Sequence, residues 1–479
     1  MNIKRIILRY QNHSSVLKAT FWFTVCNFIQ RGMSIITAPI FTRIMPTDEF
    51  GTYSTYSAWE NVLFMIISLS LYKSLMNLYV RYDDYKRVLS SICGIELLIT
   101  GICLVFGIVF RDKIGVLLGL PVPMVCCLLI NFVSQAAFQA WSIYKRYIYD
   151  YKMLILATLV MFVGSSIISI MTVVFISHTA FARVISISVV TAVVAIVIYI
   201  SVFNSGKVFF DKSIWFFAIG FSAPLLPAYL SEFVLQSSDK LMINYLCGAG
   251  DVALYSVAYA VGSIINLFTN SISATFSPYL YQKMQLKEYE KLPARANQVL
   301  LLIGVILTGI MLFSKEIVLI FGGYKYIEST KIIIPICLGV FFNYLFSFFG
   351  QIQQFYERKR YIIVPAILCS ILNLVLNYIF IKVVGYQAAA YTTFFSYALF
   401  CFIHYFLYRK VCREALGGRD LYDVRGILAI SIGLTVAGMM VSFLNHIIWI
   451  KYSILLLGVL LGFIKRVEII KLIKNVMSK

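Results

Sequence analysis

The sequence predicts an all-α polytopic membrane protein, a bundle of about fourteen transmembrane helices, and three observations predict it. The 479 residues are 61% hydrophobic and only 13% charged, whereas soluble domains run near 45–50% apolar and about 25% charged. The mean hydropathy is +0.86, and the apolar residues gather in runs of the roughly 20 residues that an apolar core about 30 Å thick requires. The basic residues fall mainly in the short segments between those runs, roughly threefold more on one side than on the other. Soluble domains of this composition would leave too much apolar surface facing water.

In chain order the expected spans are 17–44, 50–79, 88–110, 118–143, 153–177, 181–203, 214–236, 251–282, 297–320, 331–355, 361–383, 387–408, 425–444 and 449–470. Each is expected to be helical, because lipid offers backbone N–H and C=O groups no partner outside their own helix. The connections are too short to hold a soluble domain. The longest on the outer side runs from about 237 to 250, shorter than membrane polymerases or ligases usually carry. The positive-inside bias places both termini in the cytoplasm.

Forty-one Lys and Arg against 21 Asp and Glu give a formal charge of +20. No basic helix or aromatic-interleaved patch accompanies it, so a nucleic-acid partner is not expected. Most of the ten cysteines sit inside apolar runs, where they act as small hydrophobes. The four histidines are dispersed, and neither a CxxC pair nor a GxxxxGK[ST] loop occurs, so no metal, cofactor or nucleotide is expected. Asp48 and Glu49 stand at a helix start, where acidic residues suit the dipole, and are not read as catalytic.

Gly51-Thr52-Tyr53-Ser54 aligns with Ala253-Leu254-Tyr255-Ser256 at an offset of 202 residues, with Glu49 over Asp251. The offset divides the chain into parallel-repeat six-helix lobes at 1–205 and 206–410, followed by a C-terminal helix pair at 411–479.

Charges inside the apolar runs are the candidate functional residues. Arg31 lies about 13 residues, some 20 Å of helix, from either end of its span, too deep to snorkel easily. A central Arg costs about 2.5–3.5 kcal/mol on insertion scales, so it should face an interior. It serves either as an anion site, gripping phosphate oxygens bidentately, or as the partner of Glu60 at matching depth on the next span. Lys73 is closer to the surface and reads as a snorkelling side chain, a partner for Glu96, or a second anion contact. Asp239-Lys240 closes the outer end of the seventh span, as a solvated pair or an outer gate. Pro224 and Pro227 make that span a candidate bending element, or mark tolerated kinks. Glu60 and Glu96 are read chiefly as structural partners.

The stretches Phe21-Trp22 to Arg31, Pro39-Ile40-Phe41-Thr42-Arg43 and Glu49-Phe50-Gly51-Thr52-Tyr53-Ser54 carry a family resemblance. So do Ala223-Pro224-Leu225-Leu226-Pro227, Ser237-Ser238-Asp239-Lys240, Ala253–Tyr259, Asn373, Asn377, Gly385, Ala388-Ala389-Ala390 and Thr393. Over roughly 15–410 the chain resembles the bacterial polysaccharide flippases (Wzx-type exporters of O-antigen and capsule repeat units) of the multidrug/oligosaccharidyl-lipid/polysaccharide superfamily. Lys240 stands where that family usually has Arg, and Ala388 where it usually has Gly.

The resemblance implies two lobes around a V-shaped cavity. It also implies flipping of undecaprenyl-diphosphate-linked oligosaccharide, from the cytoplasmic to the outer leaflet of a bacterial inner membrane, for surface polysaccharide biosynthesis. Arg31, Lys73 and Lys240 would then be the lumen cations, and Glu60, Glu96 and Asp239 the ion-pair or coupling acids. The implied partners are membrane lipid, the lipid-linked oligosaccharide, a polysaccharide polymerase and glycosyltransferases. The chain is expected to be a secondary transporter rather than an enzyme. The alternatives are a cation-coupled multidrug exporter of the same fold, for which the central Arg31 is the wrong charge, and a membrane oligosaccharide polymerase or ligase.

Overall fold

The computed structural model describes residues 15–444. Residues 1–14 and 445–479, and with them the expected span 449–470, lie outside the described residues, as do a few side chains within helices, that of Arg31 among them. All regular structure among the described residues is helical. Among the described residues eleven helices are long and apolar enough to cross a membrane, or twelve when one bent pair is counted as a span. The protein is a multi-pass membrane protein.

The chain divides into two compact units, Met1–Ala253 and Leu254–Lys479. The first begins with α1 (Ser15–Ile44) and α2 (Thr47–Ile67), which continues after a break through a 3-10 turn (Leu71–Ser74) into α3 (Leu75–Arg81). Then come α4 (Tyr85–Val109), α5 (Arg111–Leu118), α6 (Val122–Tyr147), α7 (Tyr151–Phe175) and α8 (Ala180–Gly206). The unit closes with α9 (Lys212–Ser222), a 3-10 turn at Ala223–Leu225, α10 (Leu226–Leu246) and the start of α11 (Ala249–Ser263).

The second unit holds the rest of α11, α12 (Ile265–Gln285), α13 (Leu292–Leu312), α14 (Ser314–Gly322), α15 (Thr330–Phe355), α16 (Lys359–Val384), α17 (Gln387–Leu416) and α18 (Val424–Leu444). In it α17 packs against α15 and α16, and α13 against α18. The first residues of α2 and α11 stand at the offset of the sequence repeat.

Helix α8 shows why so apolar a chain forms these elements. Val189, Val193, Ile196, Val197 and Ile200 are exposed, while Ala195, Ile198, Tyr199 and Val202 are buried. Both faces are apolar, as expected where one meets protein and the other lipid. Small residues set the spacing within the first unit. Ala136, Ala137 and Ala140 of α6 are fully buried where α6 packs against α4 and α8, which lets backbones approach closely. At Gly51 an added Cβ would stand 1.7 Å from the carbonyl oxygen of Ala249, so only glycine fits where α2 meets the start of α11.

Two spans differ from their expected form. The second, expected as one helix over 50–79, is bent by 56° after Ile67. Leu69 and Ser70 occupy the left-handed region, with φ of 49° and 51°, which non-glycine residues adopt only at a cost. The seventh does not end at 236 but continues to Leu246. Asp239 and Lys240 therefore lie within α10 rather than in a loop. The charged pair did not end the helix because Asp239 is buried and both residues make polar or electrostatic contacts.

Candidate functional site: two acids and a broken helix

Two polar clusters occupy the core of the first unit. The first joins α2, α6 and α8. Oε1 of Glu60 accepts hydrogen bonds from Nδ2 of Asn131 and Nε2 of Gln135, both at 2.9 Å. The Asn131 amide also donates to the Tyr56 hydroxyl at 3.0 Å, and its Oδ1 accepts from Thr191 at 3.2 Å. Two amides thus hold this carboxylate, as burial of a charged group demands.

The second cluster is built around the break in span two. Ser68–Ser70 interrupt the helix, so backbone groups that would bond within it need other partners. The Ser70 N–H finds the Ser68 hydroxyl at 3.2 Å, and the Ser74 hydroxyl donates to the Leu71 carbonyl at 2.7 Å. The Tyr72 N–H donates to Oε1 of Glu96 on α4, at 2.9 Å. Glu96 is fully buried, and among the described residues its Oε2 has no hydrogen-bond partner. It therefore pins the break from the neighbouring helix.

The residue after Tyr72 is Lys73. Its Nζ lies 3.3 Å from the centroid of the Tyr229 ring on α10, a cation–π contact. Glu232, one helical turn from Tyr229, is its acidic neighbour. The two broken elements also meet directly, because the Ser222 hydroxyl at the end of α9 donates to the Ser70 carbonyl at 3.5 Å. Pro224 lies in the 3-10 turn that follows, and Pro227 in the first turn of α10.

The remaining expected residues are more dispersed. Arg31 is on α1, with its side chain outside the described part. The structure brings Glu96 and Lys73 to one helix break and places Glu60 in a separate amide network. Asp239 and Lys240 lie further along α10.

One buried cation escaped the sequence reading. The Arg183 guanidinium at the start of α8 stacks between Phe41 (3.6 Å) and Tyr53 (3.4 Å), and only 6% of the residue is exposed. Nearby, the Glu49 carboxylate caps α8 by accepting the Ala180 N–H. Phe41, Glu49 and Tyr53 are among the residues that carry the family resemblance, and their common site was the available signal.

In the second unit Asn373 donates to Thr393 at 3.1 Å and to Ser396 at 3.3 Å, and Asn377 donates to Asn373 at 3.2 Å. The first two bonds tie α16 to α17, and the third lies within α16. No group of three or more His, Cys, Asp or Glu suited to a metal occurs among the described residues.

The chain is similar in fold to solved membrane transporters. It is similar to the lipid II flippase MurJ in an inward closed conformation (TM-score 0.66, 14% identity), over 93% of this chain and 99% of that one. It is also similar to an inward-facing multidrug resistance MATE transporter (TM-score 0.63, 12% identity), over 84% of this chain and 100% of that one.

A family described as polysaccharide biosynthesis protein matches residues 16–284, more than half of the sequence, and the chain belongs to it. The MatE family matches residues 224–379. A probable low-salt glycan biosynthesis flippase, Agl15 of Haloferax volcanii, is 24% identical over 170 residues, 35% of this chain. That match spans 36% of the length of the curated relative.

Proposed function

We propose that the protein exports an amphipathic cargo by alternating access. On this reading the cargo is an oligosaccharide linked to undecaprenyl diphosphate, flipped from the cytoplasmic to the outer leaflet of a bacterial cytoplasmic membrane for surface polysaccharide. The observation that carries it is the polysaccharide-biosynthesis match over residues 16–284. Lys73, an ammonium on a span and held over an aromatic ring, supplies the charge that a diphosphate requires.

Arg31, Lys73 and Lys240 act as the anion-binding cations, and Pro224 and Pro227 as the hinge of span seven. Glu60, Glu96 and Asp239 serve as structural or coupling acids. Fourteen spans, with lobes at 1–205 and 206–410, a helix pair at 411–479 and both termini cytoplasmic, complete the reading. A diphosphate carries about two negative charges, and each moved outward is favoured by about 2.3 kcal/mol per 100 mV. The membrane potential therefore suffices to drive export.

The second reading is a cation-coupled multidrug exporter. The MatE match over residues 224–379 and the similarity to MATE structures favour it. Deleting the gene and measuring both phenotypes separates the two. Loss of surface polysaccharide with unchanged drug susceptibility supports flipping; intact polysaccharide with drug hypersensitivity supports drug export.

A further inference from the structure

At the end of the first unit that carries residues 81–87 and 207–213, a cavity of about 550 Å³ opens between α3 and α9. Its polar lining is Arg81, Tyr82 and Ser213, and its apolar lining includes Phe216, Phe217 and Phe221. The Arg81 guanidinium carbon lies 4.2 Å from the centroid of the Phe217 ring. Tyr82 donates to Ser213 at 3.3 Å, joining the two walls.

Among the described residues Arg81 has no carboxylate partner. The nearby Asp211 is taken by Arg87 at 2.8 Å. A guanidinium stacked on a ring keeps its in-plane donors free, and two parallel donors match two phosphate oxygens. Phe216, 81% exposed, continues the apolar wall outward, where a lipid tail would run.

The same span repeats the device further in. Lys73 lies in the 3-10 turn that leads into α3, eight residues before Arg81, and so about 12 Å further along the span at roughly 1.5 Å per residue. Lys73 rests on Tyr229 of α10 as Arg81 rests on Phe217 of α9. Span two thus presents two cations in succession, and span seven an aromatic platform beneath each. A phosphate leaving Arg81 meets its next cation within about 12 Å, without crossing the apolar core uncompensated.

We propose that the cavity between α3 and α9 is the loading site for the phosphate-headed end of the lipid-linked cargo, with Arg81 its first contact and Lys73 its second. The proposal rests on the lipid-linked reading of the cargo and adds where the cargo enters.

The test is retention of undecaprenyl diphosphate by the full-length protein in nanodiscs, read by native mass spectrometry, with phosphatidylglycerol as competitor. Arg81→Gln is expected to weaken retention about tenfold, with Arg81→Lys between it and wild type. Phe217→Leu, which removes the platform and keeps the charge, is expected to have a smaller effect. Thermal unfolding of each variant establishes that it is folded. Phosphatidylglycerol in large excess is expected not to displace the probe.

Retention by Arg81→Gln equal to wild type would overturn the loading site while leaving the cargo reading intact. Mole-for-mole displacement by phosphatidylglycerol would overturn it too, making the cavity a general anionic-lipid site. Failure of wild type to retain undecaprenyl diphosphate at all would remove the cargo reading, and the loading site with it.

Discussion

Glu60 and Glu96 lie on neighbouring spans of one unit, yet the protein treats them differently. Glu60 is held by two side-chain amides from α6, inside a network that also engages Tyr56 and Thr191. Its neighbours make few demands on it, because Asn131 keeps other partners if the carboxylate changes. Among the described residues the Glu96 carboxylate accepts one hydrogen bond, from a backbone N–H that the break in span two leaves outside its own helix. Removing a side chain from a network loses a share of its bonds, whereas removing the partner of an orphaned backbone group leaves that group buried and unsatisfied. An acid is therefore structural in proportion to what depends on it alone, and span two depends on Glu96.

The contrast is sharpest when both acids are truncated. Glu96→Ala should destabilise by about 1–3 kcal/mol, the penalty for a buried unsatisfied N–H. Glu96→Gln, which keeps an oxygen facing Tyr72, should recover most of that. Thermal unfolding in detergent measures it, and equal losses for Ala and Gln would show that the charge, not the acceptor, matters. Glu60→Ala should cost about 1 kcal/mol, since it removes hydrogen bonds but leaves Asn131 with Tyr56 and Thr191. A loss at Glu60 larger than at Glu96 would reverse the comparison.

The smallest effect belongs to an acid just before α9. Asp211 caps α9, accepting from the Ser213 and Ile214 N–H groups and from the Ser213 hydroxyl, and pairs with Arg87. The Ser213 hydrogen bond, followed by the Arg87 guanidinium, holds its carboxyl below the usual carboxylate value. A depressed native value contributes stability that is present above about pH 4 and is lost as pH falls through the native value. Asp211→Asn keeps a capping oxygen and removes the charge, so it should cost about 0.2–1 kcal/mol at pH 7. The difference from wild type should vanish in acid. A difference that persists after the pH has fallen through the native value would assign the effect to the cap rather than to the charge.

Within the described residues most of the span positions were legible from apolar runs of sufficient length, because lipid enforces a rule that a single segment can satisfy alone. The break at Ser68–Ser70 was not legible, since what permits it is Glu96, on another helix. Hydropathy registers Ser-Leu-Ser as unremarkable and says nothing about which acceptor lies across the interface. The extension of span seven to Leu246 was missed for a related reason. Asp239-Lys240 reads as a loop when its burial is unknown. Lys73 was singled out as a cation within a span, but the Tyr229 ring that holds it lies more than 150 residues away. Arg183 went unnoticed because its cage is assembled from two helices distant in sequence.

The proposed role of Lys73, set beside the break in span two as a contact for an anionic, lipid-linked cargo, is open to direct measurement. The most direct measurement is flipping of labelled undecaprenyl-diphosphate-linked oligosaccharide in proteoliposomes under a potassium-diffusion potential, comparing wild type with Lys73→Gln and Lys73→Arg. Wild type should move the label across the bilayer in response to the potential. Lys73→Gln should be slower by about tenfold or more, the equivalent of one charge-assisted contact, and Lys73→Arg should regain part of the rate. Flipping by Lys73→Gln at the wild-type rate would contradict the claim, as would a wild-type protein that ignores this lipid and exports cationic drugs instead.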